Sequence, residues 1–247
     1  VTPNTRLVDR ILASPNQGER VGVERPDMLV LHYTGMVSAA AALERLTDPA
    51  AEVSAHYVVD EDGSVVQLVP EARRAWHAGV SNWAGHGDVN SRSIGIEIVN
   101  PGHEHGYRPF PPEQIASVVR LCRDCVDRWQ IPAANIVAHS DIAPARKEDP
   151  GELFPWDQLF RAGVGRWVPP SNLRSGRFLS QGDRGEPVAA YQSMLGMVGY
   201  TIDVDGLFTA HTRLATIAFQ RRFRPSRIDG VADAATVATL HALLKSF

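Results

Sequence analysis

The chain has 247 residues, 44% of them apolar, which suits one large domain or two smaller ones with full cores. Its formal net charge of −3 carries no electrostatic footprint for nucleic acid or an anionic membrane surface. No apolar run approaches transmembrane length, so no membrane-spanning segment is expected.

From 1 to 26 the composition is mixed, with turn residues at 15–18, and reads as an irregular arm. The near-continuous apolar run at 28–33 reads as a buried central strand ending in His32. Ser38 caps a short helix reaching Leu46. Segments 53–60 and 64–69 read as a hairpin, with His56 on its first strand. A loop with Trp76 and His77 follows, continuing polar and glycine-bearing to Asn90; so long a loop is usually functional. In the strand at 93–100, Ile94, Ile96 and Ile98 share one face and Gly95, Glu97 and Val99 the other. A mid-strand carboxylate among isoleucines is costly unless partnered or catalytic.

A loop at 101–112 precedes a helical pattern at 113–129, with Ile115, Val118, Val119, Cys122, Val126 and Trp129 along one stripe. Its Cys122 and Cys125 form a lone C-x-x-C. A zinc ribbon needs a second pair, and a redox pair opens a helix rather than sitting inside one. They are read as packed helix thiols. A strand at 135–138 leads into 137–151, a loop in which Pro144, Pro150 and Gly151 oppose regular structure. A short helix at 154–161 ends this region. The stretch 163–176, with Pro169 and Pro170, reads as a linker. Beyond it, three short helical patterns alternate with Asp-Gly turns at 205–206 and 229–230, a small helical module without a dense polar cluster.

The chemistry gathers in the first region. Catalytic zinc takes three protein ligands, commonly histidine and carboxylate. His32 and His139 both end apolar strands, and the 137–151 loop offers Asp141, Glu148 and Asp149 as a third ligand; spacing alone does not choose among them. Glu97 on another strand could accept a proton from water, and Lys147 could stabilise an oxyanion. That set fits hydrolysis of an amide.

Several motifs then carry a resemblance: Leu31-His-Tyr-Thr34, Ser54-Ala-His-Tyr-Val58, Arg74-Ala-Trp-His-Ala-Gly79, Ser93-Ile-Gly-Ile-Glu97, and His139-Ser-Asp-Ile-Ala-Pro144 with Arg146-Lys147 and Asp149-Pro-Gly151. From about 28 to 160 the chain resembles the type-2 N-acetylmuramoyl-L-alanine amidases, zinc enzymes related in fold to peptidoglycan recognition proteins. It is most similar to the AmiD branch, then to AmpD-like enzymes. Ala145 departs from the Gly or Gln common there.

The resemblance implies Zn2+ held by His32, His139 and Asp149, with Asp141 left as a loop-bracing residue. It implies Glu97 as general base and Lys147 as holder of the tetrahedral intermediate. Trp76 and His77 fall on the substrate-groove loop, and His56 at a substrate-side or structural position. The C-terminal region resembles the three-helix peptidoglycan-binding module, on Gly182-Asp-Arg-Gly185, Tyr191-Gln192, Gly199-Tyr200, Asp205-Gly206, Ala218-Phe-Gln220 and Asp229-Gly230.

The expected architecture is α/β: a mixed central β-sheet flanked by helices, plus a small all-α three-helix C-terminal domain. The division is 1–165 for the amidase domain with its arm, 166–176 for a linker and 177–247 for the module. The expected activity is zinc-dependent cleavage of the amide between N-acetylmuramic acid, or its anhydro form, and L-alanine, in peptidoglycan or muropeptides. The alternative is a recognition protein that binds peptidoglycan without cutting; such relatives commonly lack a zinc ligand, and here all three are present. A wall-binding module argues for the cell envelope, periplasmic or outer-membrane associated; the lack of a visible export signal argues weakly for the cytoplasm. The first residue is Val rather than Met, so the start is read as a mature or trimmed end.

Overall fold

A computed structural model describes residues 2–246; Val1 and Phe247, at the ends of the arm and the module, lie outside the described residues. The arm contributes two short strands, β1 (Arg10–Ile11) and β2 (Gln17–Gly18). Then come β3 (Met28–Tyr33), α1 (Ala39–Thr47), β4 (Tyr57–Val59), β5 (Val65–Gln67) and β6 (Arg74–Ala75). They are followed by α2 (Val89–Arg92), β7 (Ser93–Ile98), α3 (Gly102–His105), α4 (Pro112–Trp129), β8 (Ile136–Ala138), α5 (His139–Ile142) and α6 (Trp156–Arg161).

The main sheet has the order β1-β5-β4-β7-β3-β8 and is mixed, because only β4 and β5 pair antiparallel within it. β3 lies between two parallel neighbours and is buried on both faces, the reason its sequence is nearly all apolar. Alternation assigns the faces. Leu29, Leu31, Ile94, Ile96 and Ile98 pack with α4 residues such as Val118 and Leu121 on the back. Val58 and Val99 pack with Leu43 and Leu46 of α1 on the front. His32 stands directly opposite Glu97 in the parallel register, so both side chains leave the sheet on that front face.

Several expectations shift in detail. The arm adds an edge strand and a small ribbon with β6, two-residue pairings too short to leave a periodic signal. The buried side of α4 centres on Leu121, Cys122 and Cys125, with Val119, Val126 and Trp129 at its margin. Burial raises both thiols, Cys122 to about 12, which fits inert packing. The 137–151 loop opens with the helical turn α5, which stops before Pro144.

The module has α7 (Glu186–Val198), α8 (Ala210–Phe223) and α9 (Ala234–Lys245). Thr209 and Asp233 cap the last two through their side chains. The module packs against the sheet. Met28, Val30 and Val137 of the sheet share one apolar cluster with Tyr200, Phe223 and Leu243 of the module. Trp83 meets Tyr200 edge-on, with ring centroids 5.2 Å apart. At Gly199, in the left-handed region, a Cβ would lie 2.5 Å from the Trp83 ring, so only glycine permits this approach. The linker is itself laid down: Val168 is buried in the shared cluster, and the Ser171 N–H donates to Thr239 Oγ1 at 2.9 Å.

Candidate metal centre

Three donor atoms converge at the C-terminal ends of β3 and β8. His32 Nδ1 lies 2.9 Å from His139 Nδ1, and Asp149 Oδ2 is 3.0 Å from each. All three residues are buried. His32 closes the buried part of β3, His139 starts α5 directly after β8, and Asp149 returns on the loop, where its carbonyl accepts the Ser140 N–H at 3.0 Å.

The hydrogen bonds behind the rings assign their tautomers. Ser93 Oγ donates to the Val89 carbonyl at 2.6 Å, so His77 Nε2, 3.1 Å away, must donate to Ser93 Oγ. Burial, then the neighbouring His32, pushes His77 well below the ordinary histidine range, so the ring is neutral and its Nδ1 is an acceptor. His32 Nε2 therefore donates to His77 Nδ1 at 3.0 Å, and His32 Nδ1 is left bare. Burial, then His139, holds His32 down at about 4 despite the pull of Asp149. His139 Nε2 faces the Ala78 carbonyl at 3.1 Å and can only donate to it, which leaves its Nδ1 facing His32 and Asp149. Two imidazole nitrogens and a carboxylate oxygen within 3.0 Å of one another form a donor set that can hold a cation. A two-nitrogen, one-oxygen set open on one side suits zinc, whose bonds to such ligands are about 2.0–2.2 Å.

The set lies at the floor of a groove of about 440 Å³, with Tyr33, Arg45, Trp76 and Lys147 among its walls. Glu97 also lines it and is only partly buried as a residue, but its Oε2 is enclosed without a hydrogen-bond partner. Burial first, then the charge of Asp149, raises the Glu97 carboxyl well above the usual range, with Lys147 acting the other way. Such an unpartnered buried oxygen is the state expected of a group reserved for a proton.

The structure thus brings His32, His139, Asp149, Glu97, Lys147 and Trp76 to one groove. His77 also borders it, but both its ring nitrogens are engaged, so it orients His32 more than it meets solvent. His56 does not reach the groove. It is fully buried, its Nδ1 accepts the Gly95 N–H at 3.0 Å and its Nε2 donates to the Arg73 carbonyl at 3.0 Å. Of the two readings left open for His56, substrate-side or structural, its buried hydrogen bonds favour the structural one. Asp141 is turned away from the metal set, and Glu148 meets Arg221 at 3.0 Å.

Sequence reasoning missed the supports. Asn90 Oδ1 accepts the N–H groups of His77 and Ala78 at 3.0 and 2.8 Å, fixing the loop that presents both. Arg146 donates to the carbonyls of Ala78 and Val80 at 3.0 and 2.6 Å and joins that loop to the ligand loop. Gly95 makes room for His77: a Cβ there would lie 2.4 Å from the ring. A glycine inside a buried strand is itself a signal of close approach.

The comparisons with known proteins agree with this geometry. Residues 22–152 match the model of the N-acetylmuramoyl-L-alanine amidase family, and residues 184–240 that of a putative peptidoglycan binding domain. The N-acetylmuramoyl-L-alanine amidase AmiD of Escherichia coli is 39% identical over 237 residues, covering 90% of this chain and 84% of that protein. Its structure, a complex with anhydro-N-acetylmuramic acid-L-Ala-D-gamma-Glu-L-Lys, superposes with a TM-score of 0.75 over 92% of each chain at 37% identity. AmpDh3 of Pseudomonas aeruginosa gives a TM-score of 0.73 at 29% identity, covering all of this chain and 98% of its own. No helix among the described residues is long and apolar enough to cross a membrane. The chain belongs to the N-acetylmuramoyl-L-alanine amidase family.

Proposed function

We propose that this chain is a zinc-dependent amidase that hydrolyses the bond between N-acetylmuramic acid, or its anhydro form, and the L-alanine of the stem peptide, in peptidoglycan or muropeptides. The observation that carries this reading is the convergence of two histidine Nδ1 atoms and a carboxylate oxygen within 3.0 Å in an open groove. The bound forms of AmiD and AmpDh3, each solved with an anhydromuramic peptide, support the substrate class.

His32, His139 and Asp149 would hold the zinc, which when bound supplies Lewis acidity that makes water a better nucleophile and polarises a carbonyl. Glu97 takes a proton from the attacking water as its oxygen bonds to the lactyl carbonyl carbon. The raised affinity of its carboxyl for protons supports this role. The Lys147 ammonium, on the groove wall, stabilises the negative charge that develops on the carbonyl oxygen. As the carbon–nitrogen bond breaks, Glu97 returns the proton to the alanine nitrogen, which leaves as an amine. Trp76 lines the approach as an apolar wall for sugar or peptide.

The division into an amidase domain (1–165), linker (166–176) and wall-binding module (177–247) goes with this reading. The module supports a place in the cell envelope, where intact wall is found. Fractionation of cells expressing the native gene tests this, and recovery only in the cytosol would reverse it.

Zinc analysis of purified protein, with hydrolysis of a muropeptide before and after chelation, tests the enzyme. About one zinc per chain, activity lost on chelation and activity restored by zinc are expected. Full turnover by metal-stripped protein would overturn the mechanism.

A further inference from the structure

Asp141 is 1% exposed, and its carboxylate is almost wholly used. Oδ2 accepts the Ala138 N–H at 2.9 Å, closing the first turn of α5 from within. Its other partners come from the module: Tyr200 donates to Oδ1 at 2.7 Å, and Arg222 Nη1 to Oδ2 at 3.0 Å. His139 is the first residue of that turn. Arg222 also donates to the carbonyls of Ile136 and Arg166, at 3.0 and 2.9 Å, and stacks over the Trp156 ring at 4.0 Å. The preceding residue of α8, Arg221, pairs with Glu148, next to Asp149.

We infer that Tyr200 and Arg222 of the wall-binding module are positioning residues for the metal site, acting through Asp141 on the turn that carries His139. This rests on the zinc reading above. A wall-targeting role requires none of these contacts, since a tethered module could target without touching the ligand loop. Here the module's side chains complete the hydrogen bonding of a buried carboxylate two residues from a ligand, so the part of the chain that meets polymer also sets the geometry of the metal centre. Groups that orient metal ligands typically change metal affinity by about 10–100-fold. Tyr200 acts one bond further out, so the lower end of that range applies.

The test uses the full-length protein. Tyr200→Phe keeps the ring that packs on Trp83 and removes only the hydroxyl. Tyr191→Phe is the control, because it removes a comparable buried hydrogen bond, to Thr216 at 3.0 Å, inside the module. Zinc affinity is measured by chelator competition, and ligand geometry by the visible spectrum of the cobalt(II)-loaded protein. Tyr200→Phe should weaken zinc by about tenfold and alter the cobalt bands, while Tyr191→Phe changes neither, even where both lower the melting temperature equally. Arg222→Met should weaken zinc further. Its failure to fold would leave the Tyr200 and Tyr191 pair decisive. Wild-type zinc affinity and spectrum in Tyr200→Phe, or equal weakening by the control, would overturn the inference. A wild-type protein that binds no zinc would defeat the amidase reading itself, and this inference with it.

Discussion

Two sets of buried polar groups, the glutamines of the module and the donors at the sheet edge, are used in opposite ways. In the module, Gln192 and Gln220 occupy equivalent places one helix apart. Gln192 donates to Asp205, the Leu207 carbonyl and Thr212, and accepts the Gly206 N–H. Gln220 repeats this with Asp229, the Val231 carbonyl, Thr236 and Gly230. Each amide is saturated by its own Asp-Gly turn, so it holds a loop to a helix and has nothing left for a ligand. At the sheet edge, two imidazoles and a carboxylate converge on one point, and Glu97 keeps an enclosed oxygen without a partner. The glutamines' saturated amides build the module, while the converging donors and the unpartnered Glu97 oxygen at the sheet edge leave capacity for a ligand.

The comparison is broken most severely by removing a ligand. Asp149→Ala takes away the only oxygen in the donor set, and the protein should lose stoichiometric zinc and muropeptide hydrolysis together. Retention of one zinc per chain in that variant would mean that another carboxylate serves. Next comes Glu97→Gln, nearly isosteric, which leaves the three donor atoms untouched. Zinc content should stay at the wild-type level while turnover falls by about two to four orders of magnitude, the scale of a missing general base. Wild-type turnover in Glu97→Gln would remove Glu97 from the proton path.

Much of this contrast was legible in the sequence, and what escaped did so for physical reasons. Strand ends read well: the apolar run into His32 and the alternation that isolates Glu97 both follow from a period of two and a buried sheet. The three-helix module read well too, because its helices are separated by Asp-Gly turns. What composition could not reveal is which residues meet across long separations. By spacing alone Asp141 and Glu148 looked as fit to bind metal as Asp149; the resemblance singled out Asp149, and the fold turns the other two toward arginines of the module. The docking of the module was hidden for the same reason. Tyr200 reads as a residue of a turn, and only the packed structure sets it against Trp83 and Asp141. His56 and His77, alike in sequence, part company over whether the ring borders the groove or lies beneath the sheet face.

A smaller perturbation leaves every donor and base in place and disturbs only the support. Gly95→Ala puts a Cβ 2.4 Å from the His77 ring, so that ring must move and His32 Nε2 loses the acceptor that fixes its tautomer. Zinc affinity should fall by about 10–100-fold, the range for lost outer support. His77→Ala should act in the same direction through the same bond. Unchanged affinity in both would show that β3 alone orients His32.

The smallest effect on chemistry should come from the module's saturated network, and Gln192→Ala isolates it. Gln192 is 1% exposed and far along the chain from the ligand loop, and its amide serves the 205–207 turn and Thr212. Removing it leaves the half-buried Gly206 N–H and Leu207 carbonyl short of partners, at a cost of about 1 kcal/mol, the low end of the range for unsatisfied groups because water reaches them in part. For a chain of this length, each kcal/mol lowers the melting temperature by about 2–4 °C. The residue touches neither Asp141 nor Glu148, so zinc affinity and the rate on a soluble muropeptide should match wild type below the transition. Because sheet and module share one apolar cluster, the melting curve should stay a single transition at lower temperature. Two separated transitions would show that the module unfolds alone, and that its contacts with the sheet are weaker than a shared core demands. A fall in zinc affinity as large as that of Gly95→Ala would show that the whole module, and not the residues of α8 and Tyr200 that reach the loop, sets the metal site.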